Sequence, residues 1–198
     1  MPIHVDHDER RRLIAGALWT LARTRGLGRA SLRDVAAEAG MSLGQLQHYF
    51  PTREALVDYA MDLVSAQTKT RVQGALAALG TRPHPRDVLR VLLVEMFPVD
   101  EVSSQVNSAR LLDALQADQA RGRVRAEMLV VHTEVEKVLR GSVAAGLARP
   151  DLDVPVEAAR VVALTGLSPL LEVGVYTRAE VMAAVDRHFD ELFGPASS

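Results

Sequence analysis

The chain of 198 residues contains no cysteine, and this absence excludes three kinds of chemistry. Without a thiol there is no disulfide framework, no thiolate metal site and no cysteine nucleophile. Lysine is also scarce, since Lys69 and Lys137 are the two present and arginine supplies the other basic side chains. The first twelve residues lack the apolar stretch of a signal peptide, and we expect no apolar run long enough to span a bilayer. A cytoplasmic protein is therefore predicted.

The net charge of −2 says little about a nucleic-acid partner, but the distribution of charge is informative. Up to Glu54 there are eight arginines and six acidic residues, whereas the rest of the chain has 15 basic and 19 acidic residues. A contact with phosphates is therefore expected in the first quarter of the chain.

Stretches in which β-branched and polar residues alternate are almost absent, and this argues against β-strands. Glycine and proline divide the chain into long segments with apolar residues at helical spacing. We predict an all-α protein with a three-helix head at residues 1–54 and a larger helical bundle at 55–198, joined by a long helix at about 53–79. Bundle helices are expected near 85–97, 103–118, 122–145, 155–174 and 178–193. In the second of these, Val106, Leu111, Leu112 and Leu115 are expected to face inward.

Two short helices with one glycine between them are predicted at residues 31–50. Ser31 is followed three residues later by Asp34, and Ser42 by Gln45, which is the pattern of two capping boxes. Gly40 supplies the backbone conformation that a tight turn between helices requires. This arrangement is a helix-turn-helix, whose second helix enters the major groove of DNA.

The exposed side chains of this motif suit DNA. Gln45 can contact an adenine edge and Arg33 a guanine, while Gly44 leaves room for DNA to approach closely. The polar groups of the second helix and of Arg53 suit phosphates and sugars. The residues that we expect at the DNA are Ser31, Arg33, Ser42, Leu43, Gly44, Gln45, Gln47, His48, Tyr49 and Arg53.

The segment from Val35 to Leu56, VAAEAGMSLGQLQHYFPTREAL, closely resembles the signature of the TetR family of transcriptional regulators. Residues 125–193 are similar, more loosely, to the bundle of the subgroup typified by the choline-responsive repressor BetI. The resemblance implies a homodimeric regulator, usually a repressor, with a small-molecule effector bound in the bundle. It also implies a phosphate contact at Arg53, where the family usually has lysine. Gln47 departs from the family's common tyrosine.

The last two helices are expected to form the dimer. The penultimate helix is apolar nearly all round from Val161 to Leu171, which indicates burial on more than one side, as in a two-fold interface. A dimer places two recognition helices about 34 Å apart, or a multiple of it, and predicts a palindromic operator. The expected interface residues are Val162, Leu167, Leu170, Val181, Val185 and Phe189.

Polar residues on otherwise apolar bundle helices are the candidates for effector contacts. They are Asn107, Arg110, His132, Glu136 and Thr165. Few aromatic residues lie in the bundle, so an aromatic cage for a quaternary cation is not expected.

An enzyme is the main competing class. No serine elbow, Walker loop or Rossmann glycine pattern occurs, and no histidine follows a glutamate by three positions, as a di-iron bundle requires. His4, Asp6 and His7 carry metal-ligating groups but lie in a polar N-terminal stretch, so neither a metal nor a cofactor is expected. A helix-turn-helix regulator without an effector is a second competing hypothesis, and a helical interaction module that does not bind DNA is a third.

Overall fold

A computed structural model describes residues 7–98 and 101–193, and no β-strand occurs in these two ranges. His4 and Asp6 of the possible metal cluster lie outside them. The predicted all-α class is confirmed. The helices are α1 (His7–Arg25), α2 (Leu32–Glu38), α3 (Leu43–Tyr49), α4 (Arg53–Ala78), α5 (Pro85–Val94), α6 (Glu101–Gln116), α7 (Asp118–Ala144), α8 (Val154–Leu164), α9 (Ser168–Glu172) and α10 (Arg178–Phe193), with 3₁₀ turns at Leu27–Arg29 and Thr165–Leu167.

Side-chain caps set the starts of several helices. The Thr52 hydroxyl accepts a hydrogen bond from the backbone N–H of Ala55 at 3.1 Å, so α4 begins at the next residue, as predicted. The Asp153 carboxylate accepts from Val156 N–H at 3.3 Å at the start of α8. These bonds span three residues, which is why they can be identified from sequence alone.

Contacts divide the chain into two compact units, Met1–Gln67 with Gln105–Asp113 and Thr68–Ser104 with Ala114–Ser198. Helices α4 and α6 are therefore each shared between the units. This division assigns more of α4 to the first unit than the boundary expected between residues 54 and 55.

The first unit has its own hydrophobic core. Its fully buried large side chains come from all four of its leading helices: Ile14 and Leu18 of α1, Val35 of α2, Leu46 of α3 with Phe50 after it, and Leu56 of α4. This core fixes α3 against α1 and α2, because a short helix alone is marginal in water.

The second unit packs α5, α7, α8 and α10 around a separate core that includes Phe97, Leu139, Val161, Val185 and Phe189. Three ion pairs join α5 to α10 at its edge, and the longest of them is Arg86 with Asp186 at 3.7 Å. Arg86 donates to Asp190 at 2.8 Å and Arg90 to Asp186 at 2.7 Å.

The predicted orientation of α6 is wrong for three of its four apolar residues. Val106 of α6 is buried as expected, but Leu111, Leu112 and Leu115 are exposed. The leucines follow an apolar stripe, yet they remain 43%, 59% and 67% exposed.

Helix α8 also has one buried and one exposed apolar side. Val154, Ala158 and Val161 are buried, whereas Val156 and Ala163 are exposed. The periodicity was ambiguous because this helix is apolar on both sides.

The expectation that no segment could span a bilayer also needs correction. Residues Val154–Glu172 form a continuous helical segment of 19 residues that is long and apolar enough to cross a membrane by length and composition. The segment consists of α8, the 3₁₀ turn at Thr165–Leu167 and α9 in direct succession. In its most apolar stretch, 22% of the residues are buried inside the protein. A core helix of a soluble protein meets the same two criteria, so the finding is weak evidence for a membrane.

Candidate nucleic-acid interface

The first helix of the candidate motif, α2, is capped as the sequence predicts. Asp34 N–H donates to the Ser31 hydroxyl at 3.2 Å, and Ser31 N–H donates to the Asp34 carboxylate at 3.0 Å. Together these bonds form a complete capping box. The Ser31 hydroxyl also donates to the Asp34 carboxylate at 2.5 Å. This bond and the one from Ser31 N–H hold the pKa of Asp34 below its ordinary value, and Arg25 and Arg33 add smaller contributions.

The turn between α2 and α3 is a Schellman motif. Met41 N–H donates to the carbonyl of Ala36 at 2.9 Å, and Gly40 N–H donates to that of Ala37 at 3.1 Å. Gly40 has φ +66°, a left-handed conformation that a side chain disfavours. Met41 packs against the core of the first unit and anchors the turn.

The second helix, α3, has the same cap as α2. Gln45 N–H donates to the Ser42 hydroxyl at 3.2 Å, and Ser42 N–H donates to Gln45 Oε1 at 2.9 Å. This use of Oε1 bears on the proposed base contact, because a bidentate contact with adenine needs both the oxygen and the amide NH₂ group. Gln45 can donate to a base from its NH₂ group while it caps the helix, and a bidentate contact requires Oε1 to accept from Ser42 N–H and from the base at the same time.

The exposed side of α3 carries the residues expected at DNA. Gly44, Gln47 and His48 are spaced three and four residues apart, so they lie on one side of the helix, and all three are exposed. Ser31, Arg33, Ser42 and Gln45 are also exposed, while Leu43 and Tyr49 are half-buried. The opposite side is held in the core by Leu46.

Gly44 stands out because nothing in the protein requires glycine there. Its φ is not in the left-handed region, and a Cβ placed on it would meet no atom within 4 Å. Glycine inside a helix costs about 1 kcal/mol relative to alanine. The missing side chain therefore has no explanation in the packing of the chain itself.

Arg53 has a role that the sequence did not reveal. Its Nε donates to the carbonyl of Ala30 at 2.9 Å, and its Nη2 donates to the carbonyl of Leu27. The half-buried guanidinium thus ties the start of α4 to the connection between α1 and α2. This use leaves Nη1 as the nitrogen with both N–H groups available for the predicted phosphate contact.

A cluster of rings lies at the end of α3. The His48 and Tyr49 ring centroids are 5.5 Å apart, and the ring of His7, the first residue of α1, is 4.7 Å from that of Tyr49. His7 appeared in the sequence only as a possible metal ligand, and no group of three metal-ligating side chains occurs among the described residues. Its contact with α3 could be found only after folding, because 41 positions separate His7 from His48 in the sequence.

The residues expected to contact an effector are divided between the two units. Asn107 and Arg110 belong to the part of α6 in the first unit, whereas His132, Glu136 and Thr165 belong to the second. Two of them have partners within their own helical segment. Glu136 pairs with Arg140 at 3.4 Å, and the Thr165 hydroxyl donates to the carbonyl of Val162 at 2.7 Å.

The expected dimer residues also divide into two sets. Val162, Leu167 and Leu170 are half-buried and have surface left for a partner. Val181, Val185 and Phe189 are at most 2% exposed, because they pack inside the core of the second unit. Those three are core residues of one protomer, so their assignment to the interface needs correction.

Comparison with known proteins gives consistent results. Residues 14–60 match the family model described as bacterial regulatory proteins, tetR family. The chain is 34% identical over 169 residues to the HTH-type transcriptional regulator PksA of Bacillus subtilis (strain 168), which spans 83% of this chain and 78% of that protein. It is 27% identical over 175 residues to the HTH-type transcriptional regulator BetI of Agrobacterium fabrum, spanning 88% of this chain and 78% of that protein.

A solved structure shares the fold along nearly the whole chain. The TetR-family transcriptional regulator from Cytophaga hutchinsonii superposes with a TM-score of 0.74 at 20% sequence identity. The superposition covers 99% of each chain. At this identity the likeness concerns the fold alone.

Proposed function

The chain belongs to the TetR family of bacterial transcriptional regulators, and from this premise we propose that it binds a palindromic operator as a homodimer and that a small molecule releases it. It is a DNA-binding regulator and not an enzyme. The observation that most supports the proposed DNA contacts is the geometry of α3. Two capped helices joined by a Schellman turn hold Leu46 in the core and present Gly44, Gln47 and His48 on one exposed side.

The experiment is a gel shift with the DNA upstream of the protein's own gene, followed by a footprint. We expect retardation that weakens with salt, because neutralised phosphates release counterions, and a footprint with two-fold symmetry. Scrambled DNA of the same length and composition is the control. Equal retardation of both DNAs, or no retardation at low salt, would contradict the proposal.

Two variants of Gln45 separate its cap from its contact with a base. Gln45→Glu keeps an oxygen for the Ser42 N–H but removes the NH₂ donor and adds a negative charge, so we expect a stable protein that no longer binds the operator. Gln45→Ala removes both the cap and the donor, and should also lower stability by about 1 kcal/mol. Operator binding by Gln45→Glu at wild-type strength would exclude Gln45 as a base-contacting residue.

The proposed dimer face is the outward side of α8 and α9. Val156, Ala159 and Ala163 are exposed there, and small side chains allow a second helix to approach closely. Val154, Glu157, Ala158 and Val161 are the fully buried residues of the apolar segment Val154–Glu172, and the surface left on the others supports a partner on this side. The half-buried Val162, Leu167 and Leu170 belong to the same segment.

Dimerisation is tested by sedimentation of Ala163→Glu. A charge placed in an apolar two-fold interface meets its own copy, so we expect a monomer that loses operator binding. Ala144→Glu, at an exposed alanine of α7, is the matched control and should remain dimeric. If both variants behave as the wild type, the interface lies elsewhere.

For the effector we propose His132 as the contact to examine first. It is half-buried on α7, whereas Glu136 and Thr165 already have partners and Asn107 and Arg110 belong to the other unit. A metabolite screen by thermal shift should find a compound that stabilises the protein and releases the operator. His132→Ala should reduce that shift and Lys137→Ala, exposed on the same helix, should not. If no compound releases DNA, the regulator without an effector is favoured.

A further inference from the structure

The start of α1 contacts the end of α3 through aromatic rings. The ring centroid of His7 is 4.7 Å from that of Tyr49 and 6.3 Å from that of His48. The His7 and Tyr49 planes are tilted by 47°, and those of His7 and His48 meet edge to face at 68°. Both distances lie within the range in which ring pairs attract each other. His7 thus touches the two aromatic side chains that end the candidate recognition helix.

The backbone of α1 directs His7 toward these rings. His7, Arg11 and Ile14 are spaced four and three residues apart and share one side of the helix. The Arg11 guanidinium carbon lies 4.2 Å from the ring centroid of Tyr59 and 5.0 Å from that of Phe50, while Ile14 is fully buried in the core. One side of α1 thus packs against the end of α3 and the residues that follow it, and His7 makes the outermost contact of this seam.

The position of His7 in this seam differs from that of its neighbours in one respect. Arg11 and Ile14 contact side chains of the core, but His7 is exposed and contacts only the exposed His48 and the half-buried Tyr49 among the ring pairs of the described chain. Its removal should cost the core little. Removal of the His7 ring should instead change the orientation of the His48 and Tyr49 rings.

We propose that His7 is a positioning residue for DNA binding, which holds Tyr49, and through it His48, in the orientation that contacts the operator backbone. The inference rests on the proposed function, with Tyr49 and His48 taken as the phosphate-contacting residues that the sequence predicts. A tyrosine ring fixed before binding loses less side-chain freedom when its hydroxyl meets a phosphate. His7 acts by ring packing and makes no phosphate contact itself.

The test measures operator affinity of the full chain by fluorescence anisotropy for His7→Ala, His7→Phe and His7→Gln. His7→Ala should weaken binding about 2- to 10-fold, which corresponds to the ~0.5–1.5 kcal/mol of an aromatic pair. His7→Phe keeps a flat ring and should bind within about 2-fold of wild type, whereas His7→Gln keeps a polar side chain without the ring and should resemble alanine. The slope of log K against log[salt] should not change, because no phosphate contact is lost. Thermal unfolding should be nearly the same for all three variants.

A double-mutant cycle with Tyr49→Ala distinguishes positioning from an independent contact. In the Tyr49→Ala protein, where His7 keeps its edge-to-face contact with His48, His7→Ala should have a smaller effect on affinity than in the wild type. Additive losses would overturn the inference, and so would a protein in which glutamine restores binding but phenylalanine does not. Wild-type affinity of His7→Ala would overturn it while leaving the proposed function intact. A wild-type chain that does not bind the operator would overturn both.

Discussion

Substitution of Gly44 by alanine should make the protein more stable and a weaker DNA binder. Gly44 is exposed, has an ordinary helical backbone, and a Cβ there meets nothing within 4 Å. Alanine in its place restricts the unfolded chain and should stabilise the fold by about 0.5 kcal/mol, which is at the low end for this exchange because the site is in the first turn. For a chain of this length we expect a rise in Tm of about 1–2 °C.

The same methyl group should obstruct DNA. A Cβ extends about 1.5 Å from Cα, so a sugar or phosphate in contact with the Gly44 backbone must retreat by a similar distance and lose contacts along the exposed side of α3. We expect operator affinity to fall at least about 10-fold, or about 1.4 kcal/mol. Gain of stability and loss of affinity in one variant cannot arise from misfolding.

The assay combines thermal unfolding with anisotropy on the footprinted operator at one salt concentration. Gly74→Ala is the matched control, because Gly74 is also exposed and helical with no atom within 4 Å of its Cβ, but lies in the second half of α4. This control should gain about 1 kcal/mol of stability and bind DNA unchanged. If Gly44→Ala keeps affinity within about 2-fold of wild type, close approach of DNA at Gly44 is refuted.

Three other perturbations test the structure. Arg53→Lys should lower the free energy of unfolding by about 1–3 kcal/mol, because one ammonium group cannot replace both guanidinium bonds to the backbone carbonyls. An unchanged midpoint of urea unfolding would contradict this structural role of Arg53. The pKa of Asp34 is lowered in the folded state, so its bonds with Ser31 contribute stability above about pH 4 that is lost as pH falls through the lowered pKa. Asp34→Asn should therefore lower Tm clearly at pH 7 and much less at pH 3. An equal fall in Tm at both pH values would contradict this pH dependence. The Glu157 carboxylate, at 3% side-chain exposure, has Oε1 2.7 Å from His188 Nε2 and Oε2 3.4 Å from Arg160 Nη1. His188→Leu should cost about 1–3 kcal/mol, because the buried carboxylate loses its contact with His188 and keeps the one with Arg160, and adding Glu157→Leu should restore most of this loss. A double variant as unstable as the single one would argue against burial of charge as the cause.

The helix boundaries of the DNA-binding motif could be predicted because their causes are local. The capping boxes at Ser31 and Ser42 and the turn at Gly40 depend on bonds between residues three to five positions apart, and all three were recognised in the sequence. The last helix, Arg178–Phe193, agrees with its predicted range for a related reason, since its apolar stripe has one clear period.

Orientation was predictable only where one side of a helix is apolar. Helix α8 is apolar on two sides, so periodicity could not decide which side faces the core of its own protomer. In α10 the predicted interface residues Val185 and Phe189 proved to be core, because an apolar stripe looks the same whether the chain or a partner covers it. The same reason applies to the exposed leucines of α6, whose apolar stripe does not by itself tell which side of the helix faces the core.

The sequence by itself determined the family, the all-α class and which residues lie on the exposed side of α3, because each depends on a short-range pattern of residues and on backbone chemistry. Tertiary structure alone decided that Arg53 bonds to the carbonyls of Leu27 and Ala30 and that His7 meets Tyr49. These contacts join residues more than twenty positions apart. No local rule specifies such pairs, because they form only when packing of a shared core has brought distant helices together.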